Sequence, residues 1–481
     1  MTELHELTAL DLAAAYRRGE TDPVEAVDHF LDRIAAHSDD VGAFVTVTAE
    51  AARAAAREAA SRFRAGDDVA PLHGIPTAIK DLNATAGVAT KFGSVVFSDF
   101  VPPTSDEVVL RIERAGMISL GKTNTPEFGC PCYTEPDPSI APPARSPYDL
   151  TLSAGGSSGG AAAAVAARLL PIAQASDGGG SIRIPASMCG LVGFKPSRGR
   201  ISRAPLYGDI TGLSTAGPMA STVRDSAAML DVLAGPGVGD PTWAPPLPDG
   251  QTYLDWCDRE PGRLRIARWV DPVLTEDPVD PQVLAAYQRA SALLADLGHE
   301  VVDVAPPIPA EILPAFRTVW AVSAALSPVP PETEQLLRPL TRWLREIGRS
   351  TAAPDFGAAL IGLHQVAARA VRALDEFDAA LTPTLARLPA AVGAIRNDDD
   401  PAADFAAQVN YTPFAAMWNV TGMPAVSLPL AWSDRGWPIG IMLAGRPAQD
   451  HRLYALAAQV EAACSDPGHP WRRPALDPRL A

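Results

Sequence analysis

Two serines placed behind glycine pairs, with one helix and one apolar run between them, constrain this chain more than any other stretch. The segment reads Ser153-Ala154-Gly155-Gly156-Ser157-Ser158-Gly159, then alanine-rich Gly160 to Leu170, then Pro171 to Ala175, then Ser176-Asp177-Gly178-Gly179-Gly180-Ser181-Ile182-Arg183-Ile184-Pro185. Ser157 and Ser181 are 24 residues apart (181 − 157). That is the length of a loop–helix–strand–loop unit, which returns both serine loops to one edge of a parallel sheet. Glycines ahead of each serine let the backbone take positive φ and let a ligand approach closely. The unit predicts a hydrolytic site.

The rest of the chain supplies a scaffold for it. Amphipathic helices are expected over 6–17 and 22–37, the second with Asp22 as N-cap and Pro23 at its first position. Ala43 to Thr48 alternates like a strand, and Ala51 to Phe63 reads as a helix. The β-leaning run Pro71-Leu72-His73-Gly74-Ile75-Pro76-Thr77-Ala78-Ile79 closes on Lys80-Asp81. Ligands of α/β sheets bind outside the carboxyl ends of strands, so Lys80 stands where chemistry would occur. Met117 to Leu120 is a buried strand leading into the polar loop Gly121 to Gly129. A Pro-rich loop over 130–150 is long enough to line a pocket. Strands and helices alternate again after 264, with 310–375 largely helical. The expected fold class is α/β: a single large domain, 1–481, whose mixed, mainly parallel β-sheet is covered by helices on both faces. Its catalytic core is expected at about 70–235 and 376–466, with a helical elaboration at about 236–375.

Composition removes several function classes. The formal charge of −16 repels phosphate backbones, so no nucleic-acid partner is expected. No run reaches 18 uninterrupted apolar residues, and no membrane partner is expected. Met1 to Asp11 lacks the basic and apolar regions of a secretory signal. The five cysteines, Cys130, Cys132, Cys189, Cys257 and Cys464, are odd in number and scattered. They fit a reducing, cytoplasmic compartment better than a disulfide framework. No His/Cys cluster accompanies the close pair Cys130 and Cys132, so no metal is expected there.

Lysine usage carries a positive signal. Of 40 basic residues only Lys80, Lys91, Lys122 and Lys195 are lysine, all between positions 80 and 195. Arginine serves as well for a solvated charge, but it cannot become a neutral amine. Lysine kept beside the serine motifs hints at lysine chemistry there, while Lys91 and Lys122 read as surface or structural.

Four readings compete for the Gly/Ser stretch. A flexible linker lacks the flanking apolar helix and strand seen here. A phosphate-binding loop lacks the G-x-x-x-x-G-K-[ST] pattern, and Asp177 suits no anion. The nucleophile elbow of an α/β-hydrolase esterase fits Gly155-Gly156-Ser157-Ser158-Gly159 literally and makes Ser157 the attacking residue. It needs a late histidine: His451 is the serious candidate beside His364 and His469, whereas His73 reads as structural. The fourth reading is a serine hydrolase with a lysine base. A neutral Lys80 can take a proton, Ser157 can relay it, and Ser181 can attack. Gly178, Gly179, Gly180 and Ser181 would aim consecutive backbone N–H groups at a developing oxyanion. A catalytically silent binding protein is a further alternative.

With these residues in place, the chain resembles the amidase signature family over nearly its whole length. The carriers are Pro71 to Pro76 leading to Lys80-Asp81, the loop Gly121 to Gly129, Gly155 to Gly160 followed by Asp177 to Pro185, Gly190 to Pro196, and Gly422-Met423-Pro424-Ala425. The resemblance implies that Lys80 is the base, Ser157 a bridging serine with a cis peptide bond, and Ser181 the acyl-forming nucleophile. It implies Gly178 to Ser181 as oxyanion hole, with Ser158, Asp177 and Arg183 as supports. It implies carboxamide hydrolysis without cofactor or metal, near the stand-alone amidases and the 6-aminohexanoate cyclic dimer hydrolases. The rival within the family is the glutamine-hydrolysing subunit of a tRNA-dependent amidotransferase. Those subunits usually carry Gln after the signature arginine, where this chain has Ile184. Expected pocket walls are Cys130, Cys132 and Tyr133, Phe316 and Trp320, and Trp418 with Asn419. The expected partner is a small-molecule amide, with a homodimer left open.

Overall fold

A computed structural model describes residues 3–205, 209–464 and 476–480. Among the described residues thirteen strands follow in chain order: β1 Phe44–Val47, β2 Pro76–Lys80, β3 Ile118–Thr123, β4 Arg145–Ser146, β5 Asp149–Ser153, β6 Ile172–Asp177, β7 Val192–Lys195, β8 Thr215–Ala220, β9 Arg265–Arg268, β10 Glu300–Asp303, β11 Ala379–Pro383, β12 Ala425–Trp432 and β13 Pro438–Gly445. Eight of them form one sheet in the order β10-β9-β11-β13-β12-β7-β8-β6. Parallel pairing joins β10, β9 and β11, and the other neighbours pair antiparallel. In direction, β10, β9, β11, β12 and β8 run one way and β13, β7 and β6 the other. The sheet is thus mixed, and its mainly parallel sense holds for strand direction rather than for adjacent pairs.

Period-2 alternation explains why both faces are covered. Ile266, Leu381, Val426, Ile441 and Leu443 enter one buried core. Their chain neighbours Ala267, Ala380, Ala425, Met442 and Ala444 enter a second. Helices bury each face, so this is the single-domain α/β architecture expected from the sequence.

A three-stranded sheet, β1-β3-β2, abuts the edge strand β6. Side chains make this junction in place of a backbone ladder. Thr77 Oγ1 donates to Ile172 O at 3.1 Å, and Lys80 N donates to Gln174 Oε1 at 2.9 Å. The pairing order, Thr77 with Ile172 and Lys80 with Gln174, means that β2 and β6 run in the same sense. Their carboxyl ends, Lys80 and Asp177, therefore meet at one edge.

The helix between the serine loops, Gly159–Ala166, is buried on every side, as its all-small sequence requires. A Cβ on Gly160 would stand 2.3 Å from Asn124 N, so only glycine fits there. Helix Pro23–Val41 begins as expected, with the Asp22 carboxylate accepting from Val24 N and Glu25 N.

The helical elaboration is narrower than the expected 236–375. β9 and β10 lie inside that range yet belong to the large sheet. The helical excursion is made by Ile312–Ala325, Pro339–Ser350 and Ala353–Ala373. No helix among the described residues is long and apolar enough to cross a membrane.

Candidate active site

Lys80, at the end of β2, is fully buried. Its Nζ donates to Ser157 Oγ at 2.8 Å and to Ser176 O at 3.4 Å. Burial drives its pKa down to about 7, against the opposing pull of the Asp177 charge. A neutral amine that can accept a proton is therefore well populated near neutral pH. Lys80 makes no ion pair among the described residues; Lys122, by contrast, lies 3.7 Å from Asp81 Oδ1 and is a buried structural lysine.

Ser157 is fixed from three sides. The Gly156–Ser157 peptide is cis. Thr125 Oγ1 donates to Ser157 O at 3.0 Å. Gly129 passes so close that a Cβ on it would lie 3.0 Å from Ser157 Oγ. The loop carrying Gly129 is anchored by Glu127, whose carboxylate accepts from Ser94 Oγ at 2.7 Å and from Arg338 N at 2.8 Å.

Ser158 ties the two serine loops together. Its N–H donates to Ser181 O at 3.2 Å, and its Oγ donates to Ser176 O at 3.1 Å. Asp177 then shapes the second loop. Its carboxylate accepts from Gly180 N at 2.7 Å, Ile182 N at 3.2 Å, Arg183 Nε at 2.9 Å and Arg183 Nη2 at 3.0 Å. The Arg183 guanidinium and these hydrogen bonds outweigh desolvation and hold this carboxyl well below the usual range. Arg183 also donates to Ala415 O at 2.8 Å and to Asn419 Oδ1 at 2.8 Å. One expectation is corrected here: the Gly180 N–H is taken by Asp177, so it cannot serve an oxyanion.

Ser181 sits where two cavities meet. Both are lined by Cys130, Ser181 and Trp320. The first is walled by residues such as Ile184, Phe316, Phe405, Val409 and Met417, and no charged side chain among the described residues lines it. The second is lined by Ser157, Ser176, Arg203, Asp209, Ser214 and Ser327, with Leu82, Phe128 and Leu213 beside them.

Cys130, Cys132, Phe316 and Trp320 thus lie on cavity walls. Three other expected wall residues do not. Tyr133 is buried, with its hydroxyl donating to Asp404 Oδ2 at 2.6 Å. Trp418 is fully buried in the second core. Asn419 is spent on the loop network, donating to Asp177 Oδ1 at 2.9 Å and Leu213 O at 3.0 Å.

The elbow reading loses its histidine. His451 packs its ring 4.4 Å from that of Trp256 and lines neither cavity, His364 is exposed on a helix, and His469 lies outside the described residues. Residues that sequence reasoning passed over include Gln174, Thr125 and Gln408. Gln174 had a visible signal: it is a polar side chain at a buried position in an otherwise apolar run.

The Amidase family profile matches residues 25–454. An amidase-family protein of Synechocystis sp. is 35% identical, covering 96% of this chain and 89% of its own. A glutamyl-tRNA(Gln) amidotransferase subunit from Salinispora tropica is 34% identical, covering 99% of this chain and 100% of its own. Among solved structures, a 6-aminohexanoate cyclic dimer hydrolase complexed with substrate superimposes with a TM-score of 0.89 at 30% identity, over 97% of this chain and 98% of the other. The matched span and the shared fold give one conclusion: this chain belongs to the Amidase family and is an amide-hydrolysing enzyme.

Proposed function

We propose that Ser181 is the nucleophile, Ser157 the relay and Lys80 the base of this amidase. The observation that carries the reading is the Lys80 Nζ to Ser157 Oγ contact of 2.8 Å, on a loop bonded directly to the Ser181 loop. Ser181 Oγ attacks the amide carbonyl as Ser157 takes its proton and passes its own to neutral Lys80. Backbone N–H groups of Gly178, Gly179 and Ser181 face the developing oxyanion. The C–N bond breaks as Lys80 returns the proton through Ser157 to the leaving nitrogen. Water then attacks the acyl-enzyme by the same relay and releases the acid. Asp177, Arg183 and Ser158 hold the loops in place.

A stand-alone amidase is favoured over a glutamine-hydrolysing subunit by one further observation. Ile184, where those subunits carry Gln, is an apolar wall of the first cavity. All five cysteines are free thiols, which supports a cytoplasmic setting. A homodimer is tested by sedimentation velocity. The triad reading is tested by Ser181→Ala. Amide turnover should vanish while circular dichroism stays unchanged, and retained turnover would refute it.

A further inference from the structure

We propose that Ser181 divides its substrate in two: a hydrocarbon acyl group enters the apolar cavity, and a polar, uncharged leaving amine occupies the cavity on the Ser157 side. The substrate class is then a neutral amide of a hydrophobic carboxylic acid. This rests on the triad reading above.

Proton delivery fixes the orientation. When the C–N bond breaks, the electron pair goes to nitrogen, which must gain a proton from Lys80 through Ser157. Ser157 and Ser176, the two residues that contact Lys80 Nζ, line the polar cavity and not the apolar one. The nitrogen must therefore face the polar cavity. The other substituent of the carbonyl carbon points across Ser181 into the apolar one.

The walls agree with that division. The Gln408 amide and the Thr412 hydroxyl of the apolar cavity are already engaged. Gln408 Oε1 accepts from Cys132 N at 2.9 Å, its Nε2 donates to Asp404 Oδ1 at 2.6 Å, and Thr412 Oγ1 donates to Gln408 O at 2.8 Å. Burial pushes the Cys130 thiol up to about 12 and the Cys132 thiol higher still, so both stay protonated. What this wall offers an acyl group is mainly apolar contact, which selects by buried hydrocarbon.

The opposite cavity is the more polar of the two, with Leu82, Phe128 and Leu213 beside its hydroxyls, and the charges among its described residues are balanced. Arg203 pairs with Asp209 at 2.8 Å. Asp209 also accepts from the N–H groups of Thr211 at 2.8 Å, Gly212 at 3.2 Å and Ser214 at 2.9 Å. A carboxylate capped by its own loop is no free partner for an ammonium group. The Ser214 and Ser327 hydroxyls, which make no side-chain hydrogen bond among the described residues, remain to receive a neutral polar amine.

Two amide series measured on the wild-type protein test the division. One is the primary amides of acetic to octanoic acid; the other is butanamide with N-alkyl groups of increasing length. We expect kcat/KM to rise about fourfold for each methylene added on the acyl side, the value of burying one methylene, and not to rise on the amine side. Val409→Trp, which fills the apolar cavity, should flatten the acyl series. Ser327→Trp should leave the acyl slope intact and depress turnover of N-hydroxyethyl butanamide. A slope on the amine side, or on neither side, overturns the proposal. If Ser181→Ala is inactive while the slope lies on the wrong side, the division fails and the triad stands. If Ser181→Ala still turns over, the triad reading itself fails.

Discussion

Lys80 Nζ lies 2.8 Å from Ser157 Oγ at the end of a strand whose backbone is held by Gln174 of the neighbouring strand. A lysine so buried, with its pKa lowered to about 7, works as a base only in its neutral form. The pH profile should show it. Below about pH 7, kcat/KM should fall about tenfold per unit, and above it the profile should level. Lys80→Arg should be inactive across the whole range, because a guanidinium cannot release its proton. A profile flat down to pH 5 would count against Lys80 as the titrating base.

The same burial has a stability consequence. The folded protein holds Lys80 neutral above about pH 7, whereas an unfolded chain keeps lysine charged until about 10.5. Unfolding between those values takes up a proton, so stability rises with pH across that window. Replacing Lys80 with Met removes the burden. Lys80→Met should therefore be inactive yet more stable than wild type at pH 7, with the gap closing toward pH 10.5. Urea denaturation at pH 7 and pH 10 measures it.

Asp177 and Arg183 form a fully buried bidentate pair. Asp177→Ala would leave the guanidinium buried without its carboxylate and free the N–H groups of Gly180 and Ile182. Breaking such a pair typically costs roughly 3–5 kcal/mol, far more than any exposed ion pair. The denaturation midpoint should drop accordingly, with activity lost because the Ser181 loop loses its anchor. The double variant Asp177→Ala/Arg183→Met should recover part of the stability and none of the activity.

Much of this site was legible in the sequence because its chemistry is written in short, rigid stretches. Glycine placement announced both serine loops, and scarce lysine pointed to Lys80. Partner choice across long sequence separations was not legible. Asn419 meets Asp177 from 242 positions away, and Cys132 N meets Gln408 from 276. Nothing local distinguishes a tryptophan packed in a core, such as Trp418, from one lining a cavity, such as Trp320. Three consecutive glycines suggest an open loop with the Gly180 N–H free; the Asp177 carboxylate, three residues earlier, folds back to claim it. In the fold, the strand–helix alternation after 264 was legible, but not that β9 and β10 join the large sheet, because that is decided by the pairing of β9 with the distant β11.

Gly129 offers a test of position without chemistry. It has φ of +67°, and a Cβ there would stand 2.7 Å from Leu82 Cδ1 and 3.0 Å from Ser157 Oγ. Gly129→Ala should cost about 1–2 kcal/mol from the left-handed backbone. It should also lower kcat by more than KM changes, because the new methyl group crowds the Ser157 hydroxyl. An unchanged kcat in a correctly folded variant would show that Ser157 tolerates displacement.

The central claim is that Ser181, and not Ser157, bears the acyl group. Peptide mapping by mass spectrometry after reaction with an alkyl fluorophosphonate tests this most directly. The predicted result is a single adduct on Ser181 that disappears in Ser181→Ala and forms far more slowly in Lys80→Ala. An adduct on Ser157, with Ser181 unmodified, would contradict it.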